Sequence, residues 1–365
     1  MTKFKNPIFS LLLVSIFFTS CKAQTKTDTQ NHNINEQKSF TNAQPKSLKL
    51  QAKNKTSSIC FGIQDKSRNI WVASNGDGVH IFDGKGFTNY RVEDGLDNNI
   101  IYSILEDRKG NIWVGTKTGL NRYDPVSNSK NGKSFTSVQL SNTNIFSPNN
   151  SPEVSSPKQN GVWCMMEDKN GTIWFGTDDG VYCYNGDIFT RFLDNKDVVN
   201  NSSLQLTAIF SILQDSNGHI WFTACASEGI SQFDGKNLTN IIPFKDIGRT
   251  DRVIEDKKGN LWFAAVFKGL CFYDRQQLTK NVFNEKINYG PSNVVEDNYG
   301  NIWFDTQEGL GFYDGKTLNI LTEKDGTIIK DFIPVLLDKS GNLWFSNKGM
   351  KLFKYDGRAF INFSE

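Results

Sequence analysis

Residues Asp107 to Trp113 read DRKGNIW, and the same pattern of Asp, two variable residues, usually Gly, one more residue, Ile or Leu, and Trp is written seven times along the chain. The other copies are DKSRNIW ending at Trp71, DKNGTIW at Trp174, DSNGHIW at Trp221, DKKGNLW at Trp262, DNYGNIW at Trp303 and DKSGNLW at Trp344. Successive motif tryptophans stand 42, 61, 47, 41, 41 and 41 residues apart, and seven of the eight Trp residues occupy this slot. A period of this size marks an array of identical supersecondary units.

Each unit reads as four short strands. Around Trp113, the first is Ile101 to Glu106 (IYSILE), closed by the motif Asp. Asp-x-x-Gly then makes a tight turn, with the Asp side chain bonding the turn backbone and Gly taking the left-handed conformation. The second strand carries the Trp (NIWVGT), a Gly-bearing loop leads to the third, Gly119 to Tyr123, and another turn leads to the fourth. That last turn is often Asp-Gly, as at Asp83-Gly84 and Asp314-Gly315, and a fourth strand is seen in Phe87 to Tyr90. No segment has a helical apolar period, so the chain is all-β. First strands carry apolar neighbours (Ile104 and Leu105, Val253 and Ile254, Val294 and Val295). Adjacent strand residues point to opposite faces, so both faces of each sheet must be buried. Blades pressed between two neighbours in a closed ring meet that demand, which predicts a seven-bladed β-propeller with four-stranded antiparallel blades over residues 55–365. Pro334 falls in the last first strand, at a channel edge where a missing donor is tolerated.

Units of the form DxxGNIWVGTxxGLxRYD, with Asp94-Gly95-Leu96 ahead of the next strand, resemble two-component regulator propeller repeats. That resemblance implies a periplasmic, ligand-sensing propeller of the kind found on bacterial sensor kinases. The chain departs from the large members in having one propeller rather than two, with no membrane helix, kinase or DNA-binding segment after Glu365, so it is not expected to phosphorylate anything.

The 365 residues are 38% apolar with a net charge of +2, which offers no electrostatic reason for a nucleic-acid partner. Residues 1–20 read as a lipoprotein signal peptide: Lys3 and Lys5, then the apolar run Ile8 to Phe18, too short to span a bilayer. Phe18-Thr19-Ser20-Cys21 resembles the lipobox of bacterial lipoproteins, with Phe18 in place of the usual Leu. The resemblance implies cleavage before Cys21 and a lipid anchor on its thiol; the alternative is cleavage near Ala23 and free secretion. Residues 21–54, rich in Lys, Gln, Asn and Thr, read as a flexible linker. No acidic cluster follows Cys21, which favours the periplasmic side of the cell envelope. Five further cysteines (Cys60, Cys164, Cys183, Cys225, Cys271) form no CxxC pair and read as free thiols, Cys183 and Cys271 as buried ones.

Propeller ligands sit at one channel mouth, here the end opposite the motif turns. Counting four and five residues back from the motif Asp places Tyr102 and Ser103, Trp163 and Cys164, Phe210 and Ser211, Asp251 and Arg252, and Ser292 and Asn293 there. Aromatic faces beside charged and amide donors suit a glycan or another small polar ligand; a partner protein domain is the further option. Loops at the same mouth add Asn75, Asp77, Asp178, Asp179, Glu228, Gln307 and Glu308, and residues 139–160 form a polar, proline-bearing insert beside it. Of these, Tyr102, Trp163, Asp251, Arg252, Asn293, Asp77, Asp179, Glu228 and Glu308 are the ligand-binding candidates. At the other end, Gln64, Glu106, Glu167, Gln214, Glu255 and Glu296 precede the motif Asp and either bond nearby turns or converge on a hard cation.

No catalytic group, metal or cofactor is expected. Histidine occurs only at His32, His80 and His219, without triad-like or zinc-like spacing. The stretch IWFTACASEG around Trp221 resembles virginiamycin B lyase blades. That family relies on a His, a Glu and magnesium near its mouth, and no channel histidine can be placed here. A lyase-like enzyme using acidic mouth residues and a metal is therefore the alternative to a non-catalytic binding propeller. A sialidase box fails on its shorter Asp-to-Trp spacing.

Overall fold

The seven motifs fold alike. In every copy one oxygen of the motif carboxylate accepts the backbone amide four residues on, at 2.7–3.0 Å. The other oxygen accepts the indole N–H of the motif Trp at 2.8–3.0 Å. Six motif glycines hold φ between +84° and +93°. In the first copy Arg68 takes that slot at φ +70°, a conformation costing a residue with a Cβ about 1–2 kcal/mol.

The computed structural model describes residues 47–54, 56–124, 132–140, 160–224, 228–279, 290–324, 326–347 and 349–364. Within them lie seven four-stranded antiparallel sheets, each built from consecutive strands. The inner strands are Ile59–Gln64, Ile101–Glu106, Val162–Glu167, Ile209–Gln214, Thr250–Glu255, Val294–Glu296 and Ile333–Leu337. Each touches the next, and the last touches the first, so the ring closes as a seven-bladed propeller. Besides the blades there are a helical turn, Phe244–Ile247, and a small hairpin, Glu323–Lys324 with Thr327–Ile328.

Apolar burial follows the ring. Seven core clusters lie one between each pair of neighbouring blades, and each contains one motif Trp. Between blades 1 and 2, for example, Trp71 packs with Ile101, Ile104, Ile112 and Val114. Both sheet faces are covered, as the paired apolar residues of the inner strands require. Close approach restricts side chains: a Cβ on Gly115 would lie 2.4 Å from the Val162 carbonyl oxygen of the next blade.

The residues preceding the motif Asp link the blades by hydrogen bonds. Gln64, Glu106, Glu167, Gln214, Glu255 and Glu296 each accept, at 2.6–3.1 Å, the amide that follows the motif Asp of the preceding blade. In return Lys66, Arg108, Lys169, Lys257 and Lys339 donate to turn carbonyls of the following blade. Each of these residues thus commits a side-chain oxygen to a turn. Among the described residues no group of three or more His, Cys, Asp or Glu is arranged to hold a metal ion.

Residues 47–54, read from sequence as the end of the linker, are held against the ring. Ser47 pairs with Phe87 on the outer strand of blade 1, and the Leu50 amide donates to the Phe363 carbonyl beyond blade 7 at 2.8 Å. Leu50 is buried. One apolar side chain and a few bonds across the seam outweigh the polar composition. The signal peptide, Cys21, the rest of the linker, residues 141–159 of the insert and Cys225 lie outside the described residues. Cys164 and Cys271 are buried free thiols, Cys183 is half-buried and Cys60 exposed.

Burial acts to raise the carboxyls of Asp107, Asp215, Asp256 and Asp338. The bonds they accept from Asn, Trp and turn amides, and from Arg275 at Asp215, outweigh it and hold them below the usual 3.8. A depressed folded value means that this stabilisation is complete above the unfolded pKa and is lost as pH falls through the folded values. Urea midpoints should therefore hold steady between pH 7 and 5 and fall below pH 4. A midpoint unchanged down to pH 3 would contradict the role given to these aspartates.

Candidate functional site

The channel mouth is shaped by β-bulges. Pairing of the first two strands skips Cys60, Tyr102, Trp163, Phe210 and Asp251 in blades 1 to 5. A bulged residue leaves the ladder and its side chain is re-aimed. The five skipped residues therefore form the rim. The Tyr102 and Trp163 rings stack at 4.0 Å with an interplanar angle of 10°, and Phe210 meets Trp163 edge-on at 4.6 Å. Asp178 accepts the Trp163 indole N–H at 2.7 Å and so fixes the ring. Arg249 lies over Phe210, 4.7 Å from its centroid, and binds Asp251 at 2.7 Å. Sequence counting missed Arg249, which stands just ahead of the inner strand.

The residues one position deeper behave differently. Ser103, Cys164 and Asn293 donate to carbonyls of the next inner strand encountered in the ring. Ser211 accepts the Val253 amide at 3.4 Å. All four are buried. In blades 2 to 4 the bulge breaks the alternation, and all four residues tie neighbouring blades and do not line the mouth. Asn293 is thereby placed in the blade interface rather than in a ligand site. Phe61 and Arg252 are too large for that role and enter the lumen. From blade 5, Arg252 reaches across the channel to Phe61 of blade 1, its guanidinium carbon 4.5 Å from the ring centroid. Among the described residues no carboxylate pairs with it. Burial pushes its guanidinium pKa down, with the Cys164 thiol acting the other way.

The loop candidates divide. Asp77 is fully buried: it accepts the Lys53 and Asn54 amides at 3.1 Å, contacts His80 at 3.1 Å and pairs with Arg91. It clamps the N-terminal segment to blade 1. Glu228 accepts the Gln205 and Leu206 amides at 2.5 and 3.0 Å. Asp179 takes Asn160, Thr177 and Tyr182. Glu308 is exposed. The geometry thus brings together Tyr102, Trp163, Asp251 and Arg252, adds Phe210, Arg249 and Asp178, and leaves the other candidates in structural roles or apart. Trp163 is covered on both sides, by Tyr102 and Phe210, so the rim is a pre-packed aromatic arc rather than an open platform. His80 lies inside blade 1, and His219 lies in a motif turn with Nδ1 3.5 Å from Asp215. His32 is outside the described residues.

Fold and rim together define a propeller with a polar-aromatic channel mouth. Residues 95–118, 156–179 and 203–224 match the two component regulator propeller family. Among solved structures it is similar to the extracellular domain of a hybrid two component system of B. thetaiotaomicron, with 21% identity and a TM-score of 0.63. That match covers 83% of this chain and 40% of the other, so the chain spans about two fifths of that domain's length. It is similar also to virginiamycin B lyase of Staphylococcus aureus (15% identity, 84% and 97% covered, TM-score 0.60). A streptogramin B lyase matches comparably (16%, 85% and 96%, 0.59). No curated protein sequence matches. At these identities the structural likenesses establish the fold.

At Asp77, bonds from His80 and Asn54 and the charge of Arg91 overcome the upward effect of burial and hold the carboxyl low. Asp77→Ala should cost about 3–5 kcal/mol, as expected when one partner of a buried charge pair is removed. The readout is the thermal midpoint; wild-type stability would return Asp77 to the set of free mouth residues.

Proposed function

We propose that the chain is a non-catalytic, extracytoplasmic ligand-binding propeller, tethered through a lipid on Cys21, that takes a small polar ligand bearing a carboxylate or similar anion at its channel mouth. An acidic sugar is the chemistry that fits best. The observation that carries this reading is Arg252: a guanidinium held over the Phe61 ring face and paired with no carboxylate among the described residues. A guanidinium recognises carboxylate geometry with two parallel bonds, and partial desolvation strengthens that contact. Tyr102, Trp163 and Phe210 supply a stiff apolar wall, and the Arg249–Asp251 pair offers further polar groups at its edge. The likeness to the extracellular domain of a hybrid two component system, together with the matched regulator-propeller segments, supports a role in sensing. The lyase alternative has the fold likeness, but among the described residues neither His80 nor His219 stands at the mouth and no acidic cluster there is arranged to hold a metal ion.

Calorimetric titration with glucuronate and, in parallel, glucose tests the site. Glucuronate should bind the more tightly, and Arg252→Met should weaken it about ten- to hundred-fold, the scale of one charge-assisted contact. Equal affinity for both sugars, or an unaffected Arg252 variant, would move the site elsewhere.

The anchor is tested separately. Wild-type protein should take up a palmitate analogue and partition with membranes, and Cys21→Ala should do neither. A variant that stays membrane-bound, beside an unlabelled wild type, would remove the lipid from the proposal.

A further inference from the structure

We propose that the cleft between blades 1 and 2, on the motif-turn side of the ring, binds a guanidinium group presented by another molecule. The cleft encloses about 480 Å³ and is lined by Asp65, Trp71, Glu106 and Gly110, with Ser67 and Asp124 among the other lining residues. The repeat makes every blade junction chemically comparable, and one junction of this protein is already filled by such a group. Between blades 4 and 5, Arg275 donates to Asp215 at 2.6 Å, to Glu255 at 2.7 Å and to the Gly259 carbonyl at 2.7 Å. Its guanidinium carbon lies 5.4 Å from the Trp221 ring centroid.

Position by position along the repeat, Asp215, Trp221, Glu255 and Gly259 correspond to Asp65, Trp71, Glu106 and Gly110. Two bonds correspond, while at Asp65 the oxygen that takes the indole also accepts the Asn69 side-chain amide at 2.7 Å, where blade 4 has His219. Glu255 gives one oxygen to the Ser216 amide and Glu106 gives one to the Lys66 amide, both at 2.7 Å. Asp215 and Asp65 each accept the indole N–H of their own Trp at 2.8 Å. Arg275 completes this set from a turn position where five other blades have Gly, and it holds φ +76° to do so. Blade 2 has Pro125 at that position, which carries no cation. The second oxygen of Glu106 has no donor among the described residues.

Sequence at the motif turn explains why this cleft is open. The second residue after the motif Asp is Lys109 in blade 2 and Lys258 in blade 5. Their ammonium groups lie 3.0 and 3.9 Å from where a Cβ on Gly186 and Gly315, the turn glycines of the following blades, would stand. In blade 1 the residue is Ser67, too short to reach. Two carboxylates, a carbonyl and an indole face are thus set out for a planar cation, and a free guanidino compound and an arginine side chain of a partner protein share that chemistry.

The test uses the full chain labelled with 5-fluorotryptophan and read by fluorine NMR. N-ethylguanidinium, an end-blocked Ala-Arg-Ala peptide and its lysine counterpart are titrated in turn. The Trp71 resonance should shift saturably with both guanidinium probes and several-fold more weakly with lysine. Tighter binding of the peptide than of N-ethylguanidinium would assign the group to a partner's arginine, and the reverse to a small molecule. Glu106→Gln should weaken binding ten-fold or more, and Ser67→Lys should abolish it by filling the cleft. Arg275→Gly serves as the internal standard: it should lower the melting temperature, and N-ethylguanidinium should restore part of the loss while shifting Trp221. A silent Trp71 resonance, whether or not Arg275→Gly is rescued, overturns the proposal. So does a Trp71 shift that persists in Ser67→Lys.

Discussion

A buried carboxylate held between a turn and an indole is the contact on which the ring depends. Alone, burial of an ionised Asp would be prohibitive. Here the amide and side chain of the turn take one part of its hydrogen-bonding capacity and the Trp N–H takes another, as at Asp107 with Asn111 and Trp113. That bond sets the angle at which the Trp leaves its strand, and the Trp is the largest side chain in the cluster joining its blade to the next. Local turn chemistry and blade packing are therefore one structure repeated, and the Glu and Gln preceding the motif extend it by binding the neighbouring turn.

Where a repeat is this regular, departures from it identify what the scaffold carries. Ser103, Cys164 and Ser211 are small because each must fit against the adjacent inner strand. Arg252 stands in the same slot, cannot fit there, and occupies the lumen. Arg275 stands in a glycine slot and is retained by three bonds across a junction. One arginine is partnered and stabilises the ring, whereas the other, among the described residues, meets a ring face and no carboxylate, which leaves its charge available. The two ends of the molecule thus present opposite chemistry: cationic and aromatic at the mouth, anionic in the cleft beside the first motif turn.

Fold class, blade number and strand order were readable from the motif because its spacing and turn residues are local and repeated seven times. The covering of both sheet faces followed from adjacent apolar residues in the inner strands. Candidate mouth residues could be counted from the motif Asp, which found Tyr102, Trp163, Asp251 and Arg252. The count could not separate rim from interface, because a bulge in the inner strands of blades 1 to 5 reverses the side-chain alternation and leaves no fixed mark in composition. Nor could it show that Asp77 is consumed by Lys53, Asn54, His80 and Arg91, groups brought together only when the N-terminal segment docks on blade 1. The sequence by itself determined the repeating unit and the closed ring, since both rest on interactions within one blade and its copy. Only the tertiary structure decided which polar side chains remain free, because that depends on what the ring brings against each of them.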